Sequence, residues 1–404
     1  MHKIIRKLPA VFFFALYIFP AFALETKPEV TALAAVLMDA KTGTVLYQKN
    51  PSLPHPPASL TKVMTIHILL EKIASGELSL NQEIRPPRES WAVNLPRDSS
   101  LMFLGPDQRL TLLDLLKGLA VPSGNDAAIA AAILSSGSVS AFAGLMNEEA
   151  RKADCDGLFF VEPSGYDAHN RITALDFARF LTIYIDRHPE ALAMLHSIRE
   201  FTYPRTENLL EGNGSNPITQ TNRNALLFSY PDTDGIKTGY LDESGYNIAL
   251  TAQRGDTRLI LVLLGEKGST PQAGIRARDR DSTRLLDFGF DNFTTQKVSC
   301  PAPQAVRVWK SGQKEIIPAS PSEILVTIPK GTENRLKGEI SQTLYITAPV
   351  KKGDILGTLR VSLDEKTLYE GKLTCAEEIP RGSWWDIFTD SIIIFFRELF
   401  GYPV

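Results

Sequence analysis

The sequence predicts an α+β fold: an antiparallel sheet with packed helices, then a small all-β domain, then an amphipathic C-terminal helix. Three observations predict it. Strand-like apolar runs stand near both ends of the first 293 residues, and helical spacing fills the stretch between them. After about Phe293 that spacing stops, and short β-rich runs alternate with Pro, Gly and Lys turns. From Arg381 onward, charged and aromatic residues separate onto opposite faces at about 100° per residue.

The elements follow in order. Lys3, Arg6 and Lys7 precede the apolar stretch "AVFFFALYIFPAFA", which ends in Ala21-Phe22-Ala23. A basic segment, a short apolar run and a small-x-small end read as a secretory leader over residues 1–23. An uncleaved membrane anchor is the alternative, disfavoured because the run is short for a span. "TALAAVLMDAKTGTVLYQKN" reads as a hairpin with its first strand at Leu33 to Met38. "PSLPHPPA" excludes a helix by its prolines. Thr61 to Ala74 reads as a helix so apolar that it must be central. Further helices are expected at Thr111 to Leu119, Asp126 to Leu134, "AFAGLMNEEARKA", and "TALDFARFLTIYI" with Thr173 as N-cap. "GYNIALTAQRGDTRLILVLLG" gives two antiparallel strands, and Arg276 to Phe288 a last helix.

"AVRVW", "EILVTI", "TLYITA" and "TLRVSLD" then read as strands of a small β-sandwich-like unit. In the tail, Asp386, Asp390 and Arg397 share one face, opposite Trp384, Phe388, Ile392, Phe395 and Leu399; Ile393 is the exception. This pattern fits a helix lying in a membrane interface; docking on its own protein is the alternative. The chain thus divides into a leader at 1–23, an α+β unit at 24–293, a β unit at 294–379 and an amphipathic helix at 380–404.

Composition narrows the function. A net charge of −3 gives no basic stripe for a nucleic-acid partner. The three cysteines, Cys155, Cys300 and Cys375, form no Cys-x-x-Cys pair, and the six histidines no His-x-x-x-His. No metal or cofactor is therefore expected. Cys300 and Cys375 bracket the β unit, and in an exported chain they could pair and leave Cys155 free.

Three short motifs carry chemistry. "PASLTKVMT" sets Ser59 and Lys62 three residues apart at a helix start, which puts both on one face. A hydroxyl is a weak nucleophile and needs a base within hydrogen-bond reach. Alone, Ser-x-x-Lys is as common as a solvated surface lysine. "PSGN" adds Ser123 and Asn125 in a break between helices, and "DGIKTGY" adds Lys237, Thr238 and Gly239. Ser-x-x-Lys, Ser-x-Asn and Lys-Thr-Gly in this order are the signature of penicillin-binding proteins and serine β-lactamases.

With "LMDAKTGTVLY", "VPSGNDAAIA", "TNRNALL" and "GYNIALTA", the chain from residue 30 to 404 resembles the D-alanyl-D-alanine carboxypeptidases, the low-molecular-mass penicillin-binding proteins. The resemblance implies a β-lactamase/transpeptidase-like catalytic domain at 24–293. It implies removal of the terminal D-alanine from peptidoglycan stem pentapeptides, with β-lactams as acylating inhibitors. Ser59 would be the acylated nucleophile, Lys62 its base, Ser123 a proton relay, and Asn125 a partner of substrate or of Lys62. Lys237, Thr238 and Gly239 would meet the substrate, with backbone N–H groups of Ser59 and Tyr240 as oxyanion hole. Arg278 would read the terminal carboxylate, with Arg276 and Arg280 as alternatives. The resemblance also implies the periplasmic side of the inner membrane, held there by the C-terminal helix. A D,D-endopeptidase, a β-lactamase and a silent wall-binding protein are the competing functions.

Two positions depart from the usual pattern. Tyr240 and Leu241 follow Lys-Thr-Gly where relatives often carry His or Phe and then Thr. The first role is a backbone one, whereas Leu241 removes a hydroxyl from the cleft rim. Glu162 in "FVEPSGYD" is expected to be structural rather than a base for deacylating water.

Overall fold

The computed structural model describes residues 27–210, 217–321 and 323–401. The leader expected at 1–23 lies outside the described residues.

The expected hairpin forms β1 (Ala34–Asp39) and β2 (Val45–Lys49). Helices α1 (Thr61–Ala74), α2 (Leu112–Ala120), α3 (Asn125–Ser136), α4 (Val139–Lys152) and α5 (Ala174–Arg187) follow. Small strand pairs lie between them: β3 (Glu83–Ile84) with β4 (Leu110–Thr111), and β5 (Glu200–Tyr203) with β6 (Ile218–Thr221). The short α6 (Leu226–Ser229) leads into β7 (Thr233–Leu241), β8 (Gly245–Arg254) and β9 (Thr257–Glu266). The long α7 spans Pro271–Asn292.

The main sheet is antiparallel, in the order β2-β1-β9-β8-β7. β1 therefore pairs with β9, with Val36 opposite Val262, and closes the N-terminal hairpin onto the far end of the unit. Both faces of this sheet are covered. Ala34, Val36, Met38, Ile260 and Val262 pack against the helices α1 to α5, and Ala35, Leu37, Leu261 and Leu263 pack against α7 through Leu285, Leu286 and Phe288. Burial on both faces is why these strands read as continuous apolar runs rather than as alternation.

Helix ends follow local chemistry. Thr173 caps α5 as expected, its hydroxyl accepting from Asp176 N. Thr111 and Asp114 form a reciprocal capping box at the head of α2. α7 begins five residues before the expected Arg276, because Thr270 caps it and Pro271 occupies its first turn.

Beyond α7, β10 (Phe293–Ser299) pairs with β13 (Glu323–Pro329). β11 (Val306–Trp309) lies between β12 (Glu315–Ile316) and β15 (Tyr345–Thr347), parallel to the latter. β14 (Leu336–Gln342), β16 (Ile355–Leu363) and β17 (Lys366–Thr374) form a third sheet. The pairing allowed for Cys300 and Cys375 is not made, and all three cysteines are free. The two belong to different apolar clusters of the β unit: Cys375 packs with Val306 and Ile379, Cys300 with Ile324 and Leu359. Buried Asp39 ties this unit to the main sheet, accepting from the hydroxyls of Thr295 (2.5 Å) and Thr327 (2.8 Å).

The tail forms α8 (Trp384–Leu399), capped by Ser383 with Asp386. One face docks on the β unit, as the alternative reading expected, and the other stays open. Asp390 is buried against the β unit, accepting from Lys310 N at 2.6 Å and pairing with Lys314 at 3.5 Å. Trp384, Trp385, Phe388, Phe395 and Leu399 stay exposed on the other side. Among the described residues, no single helix is long and apolar enough to cross a membrane.

Candidate active site

The prolines before Ser59 delay the helix, and a 3-10 turn at Ala58–Leu60 runs straight into α1. Ala58 takes a left-handed φ of +49°, a conformation rare for residues with a side chain. Gly165, on a loop beyond α4, presses against this turn; a Cβ there would stand 1.7 Å from the Ala58 carbonyl oxygen. Only glycine fits that approach.

Lys62 explains itself once its surroundings are in view. It is wholly buried, and Nζ lies 2.9 Å from Ser59 Oγ, 2.8 Å from Asn125 Oδ1 and 2.5 Å from Ser164 O. Its amine spends its donors on three protein oxygens. Burial drives its pKa down to about 7; Glu162 pulls it up, and Arg223 pushes it down further. An amine in that range accepts a proton near neutrality.

Ser123 follows Pro122 in the break between α2 and α3, with φ +66°. Its hydroxyl is buried and has no protein partner. An unpartnered buried hydroxyl is costly to hold unless a ligand or a transferred proton uses it. Asp126 holds the facing loop, accepting from Met102 N (2.9 Å) and Leu104 N (3.0 Å).

Lys237, Thr238 and Gly239 lie within β7, the edge strand of the sheet, just before β8. This edge runs beside the nucleophile. A Cβ on Gly239 would meet Pro57 O at 2.7 Å and Ser59 N at 2.9 Å. Lys237 is buried, donating to Thr238 O at 3.2 Å, and burial with Lys62, Arg223 and Arg278 nearby pushes its pKa well down. Tyr240 stacks on Tyr246 at 4.4 Å, its ring turned outward. The side chain thus leaves the cleft floor to the backbone.

Burial separates the three candidate arginines. Arg278 is buried and lines a cleft of about 490 Å³ with Ser59, Ser123, Thr238 and Arg223. Arg276 is exposed, and Arg280 turns away to Asp281 and Thr31. Arg278 is itself oriented by Asp279 at 2.7 Å. Arg223 is the residue the sequence reading passed over. It stands in "TNRNALL", a block noted only for its resemblance, and its cationic side chain could have been singled out there. Leu241 lines a second cavity, of about 410 Å³, on the other side of Ser59 with Asp98 and Tyr166.

Glu162 is committed to its own loop. It accepts from Ser164 N (2.7 Å), Gly165 N (2.5 Å) and Asn170 Nδ2 (2.9 Å). These bonds hold in place the carbonyl of Ser164 that meets Lys62. Serine, buried amine, unpartnered hydroxyl and a cationic cleft with strand-edge N–H groups are together equipped for acyl transfer from a substrate bearing a carboxylate.

The comparisons with known proteins agree with this geometry. Residues 22–268 match the family described as D-alanyl-D-alanine carboxypeptidase, and residues 294–381 match the C-terminal domain of penicillin-binding protein 5. D-alanyl-D-alanine carboxypeptidase DacC of Escherichia coli is 35% identical over 398 residues, covering 97% of this chain and 95% of that protein. DacA of the same species is 31% identical, over 93% of this chain and 90% of that one. Penicillin-binding protein 5 from Haemophilus influenzae superposes with a TM-score of 0.78 at 30% identity, over 88% of this chain and 99% of that chain. Penicillin-binding protein 6B from Escherichia coli gives 0.69 at 28%, over 87% and 98%. The chain belongs to the D-alanyl-D-alanine carboxypeptidase family.

Proposed function

We propose that this protein is a serine-type D-Ala-D-Ala carboxypeptidase that trims peptidoglycan stem pentapeptides through an acyl-enzyme on Ser59, and that β-lactams acylate the same serine. The observation that carries the reading is the buried Lys62 amine 2.9 Å from Ser59 Oγ, with its pKa near 7.

The terminal carboxylate of the substrate is held by Thr238, Lys237 and Arg278. The penultimate carbonyl points at the N–H groups of Ser59 and Tyr240. Neutral Lys62 takes the Ser59 proton as Oγ bonds to the carbonyl carbon. The oxyanion is met by the two N–H groups. The C–N bond then breaks, and the proton passes from Lys62 through the Ser123 hydroxyl to the departing amine, releasing D-alanine. Water next attacks the ester while Lys62 accepts its proton, and that proton returns to Ser59 as the shortened peptide leaves. Asn125 keeps Lys62 aimed throughout. In a β-lactam the broken amide is in the ring, so the amine stays attached and blocks the cleft.

α8 holds the enzyme on the outer face of the inner membrane, its aromatic face in the interface. The exposed row of Trp384, Trp385, Phe388 and Phe395 supports this, as does the docking of Asp386 and Asp390 onto the β unit.

Mass spectrometry of a purified muropeptide pentapeptide tests the activity. Loss of one D-alanine is expected, and none with Ser59→Ala. A crosslinked dimer cut while the pentapeptide survives would replace the reading with an endopeptidase.

A further inference from the structure

A second group of chemically able side chains lies away from the cleft. His67 is on α1, eight residues beyond Ser59 and so roughly 12 Å along the helix. Glu71 is one turn later on the same face, and His188 stands at the C-terminal end of α5. One ligand atom from each of these three residues lies within 4.8 Å of the others. Both histidines are buried, and their rings stand 5.3 Å apart.

Their hydrogen bonding is unfinished. His67 Nδ1 and His188 Nε2 are buried with no hydrogen-bond partner. His67 Nε2 faces Glu149 at 3.8 Å, whereas His188 Nδ1 is 4.0 Å from Glu190 and its Nε2 is the nitrogen nearer a carboxylate, that of Glu71. At His67 the carboxylate favours the proton on Nε2 and leaves the Nδ1 lone pair free. This is how metal-binding histidines are usually held. Glu71 Oε1 stands 3.0 Å from His188 Nε2 without hydrogen-bond alignment, and Arg187 takes the other Glu71 oxygen. His196, the next histidine in this aromatic cluster, has both nitrogens engaged, with Tyr184 and Ile236, and is no ligand.

We propose that His67, Glu71 and His188 bind one divalent transition-metal ion, Zn²⁺ by choice of ligands. Two imidazoles and a carboxylate are a zinc-type donor set. Bonds of about 2.1 Å in a tetrahedron put donors about 3.4 Å apart, so the cluster needs to contract by roughly 1 Å. Glu71, only partly buried, has the freedom to do so and leaves the fourth position open to water. The ion clamps α1, which carries Ser59 and Lys62, to α5. It takes no part in the acyl transfer.

The test uses the full mature chain stripped with chelator. Calorimetry with Zn²⁺ is expected to show one saturable equivalent, and the melting temperature to rise by about 5 °C or more at 100-fold excess over Kd. Glu71→Gln and His188→Asn are each expected to weaken binding at least ~10-fold while labelled penicillin still acylates the protein. Co²⁺ is expected to give visible absorption of a nitrogen-ligated site, lost in both variants. No saturable equivalent in the wild type overturns the proposal. So does binding that is unchanged in both variants, which would place the ion elsewhere, as at the exposed His169–Asp167 pair. Should His188→Asn fail to fold, Glu71→Gln and the wild-type Co²⁺ absorption decide.

Discussion

The rate of Ser59 acylation is expected to follow the protonation of one buried amine. With a pKa of about 7, Lys62 is about 90% neutral at pH 8; at its ordinary 10.5 it would be about 0.3% neutral, a difference of roughly 300-fold in competent enzyme. Acylation should therefore rise tenfold per pH unit below pH 6, bend near 7 and level above 8. Lys237 is buried beside other cations, so the midpoint belongs to the coupled pair rather than to Lys62 alone. Lys62→Arg keeps the charge and removes the base, because a guanidinium does not give up its proton. It is expected to lower acylation by at least ~100-fold. The assay is stopped-flow acylation by a fluorescent penicillin from pH 5 to 9, with circular dichroism to show that the variant folds. A flat profile, or a folded Lys62→Arg enzyme acylating at wild-type rate, would refute the assignment of Lys62 as base.

Other perturbations test other parts. Gly239→Ala puts a methyl 2.7 Å from Pro57 O and 2.9 Å from Ser59 N, so acylation should fall by about 100-fold with the fold intact; an unchanged rate would show that the strand edge is free to shift. Arg278→Ala should cost about 30- to 150-fold in kcat/KM on a substrate ending in D-Ala and little on its amide; equal losses on both would mean that Arg278 does not read the carboxylate. Glu162→Gln weakens the acceptor of four loop hydrogen bonds and should lower stability by about 1–3 kcal/mol in urea unfolding; no change would make the loop self-supporting. Removing residues 381–404 should abolish flotation with anionic vesicles and leave peptide hydrolysis unchanged; continued flotation would put the membrane contact elsewhere.

The candidate catalytic residues were legible because each sits in a motif whose spacing is set by local geometry. Ser59 and Lys62 share a helix face, and Ser123 and Asn125 flank a break made by Pro122 and Gly124. The central helices were legible from apolar spacing, α1 with both ends in place and the others with ends displaced by one to five residues. β7 was not, because in "TDGIKTGY" Thr238 and Gly239 line the cleft and Asp234 pairs with Arg258, so no apolar alternation is left. β14 and β17 were missed for a related reason: they are half-exposed and carry Lys and Glu in quantity. The His67–Glu71–His188 group has no sequence spacing to read. It arises only when α5 is laid beside α1.

The docking of Asp386 and Asp390 onto Lys314 and the Lys310 backbone N–H has a consequence for how the enzyme searches. A helix on a loose tether would let the body tumble above a surface in all orientations. A helix fastened to the β unit, itself pinned to the main sheet through Asp39, transmits its own attitude to the cleft. On the proposed membrane placement, the body would retain lateral diffusion and rotation about the membrane normal but little tilt. Stem peptides would then be sampled within one layer of the wall, at a height fixed by protein rather than by tether length.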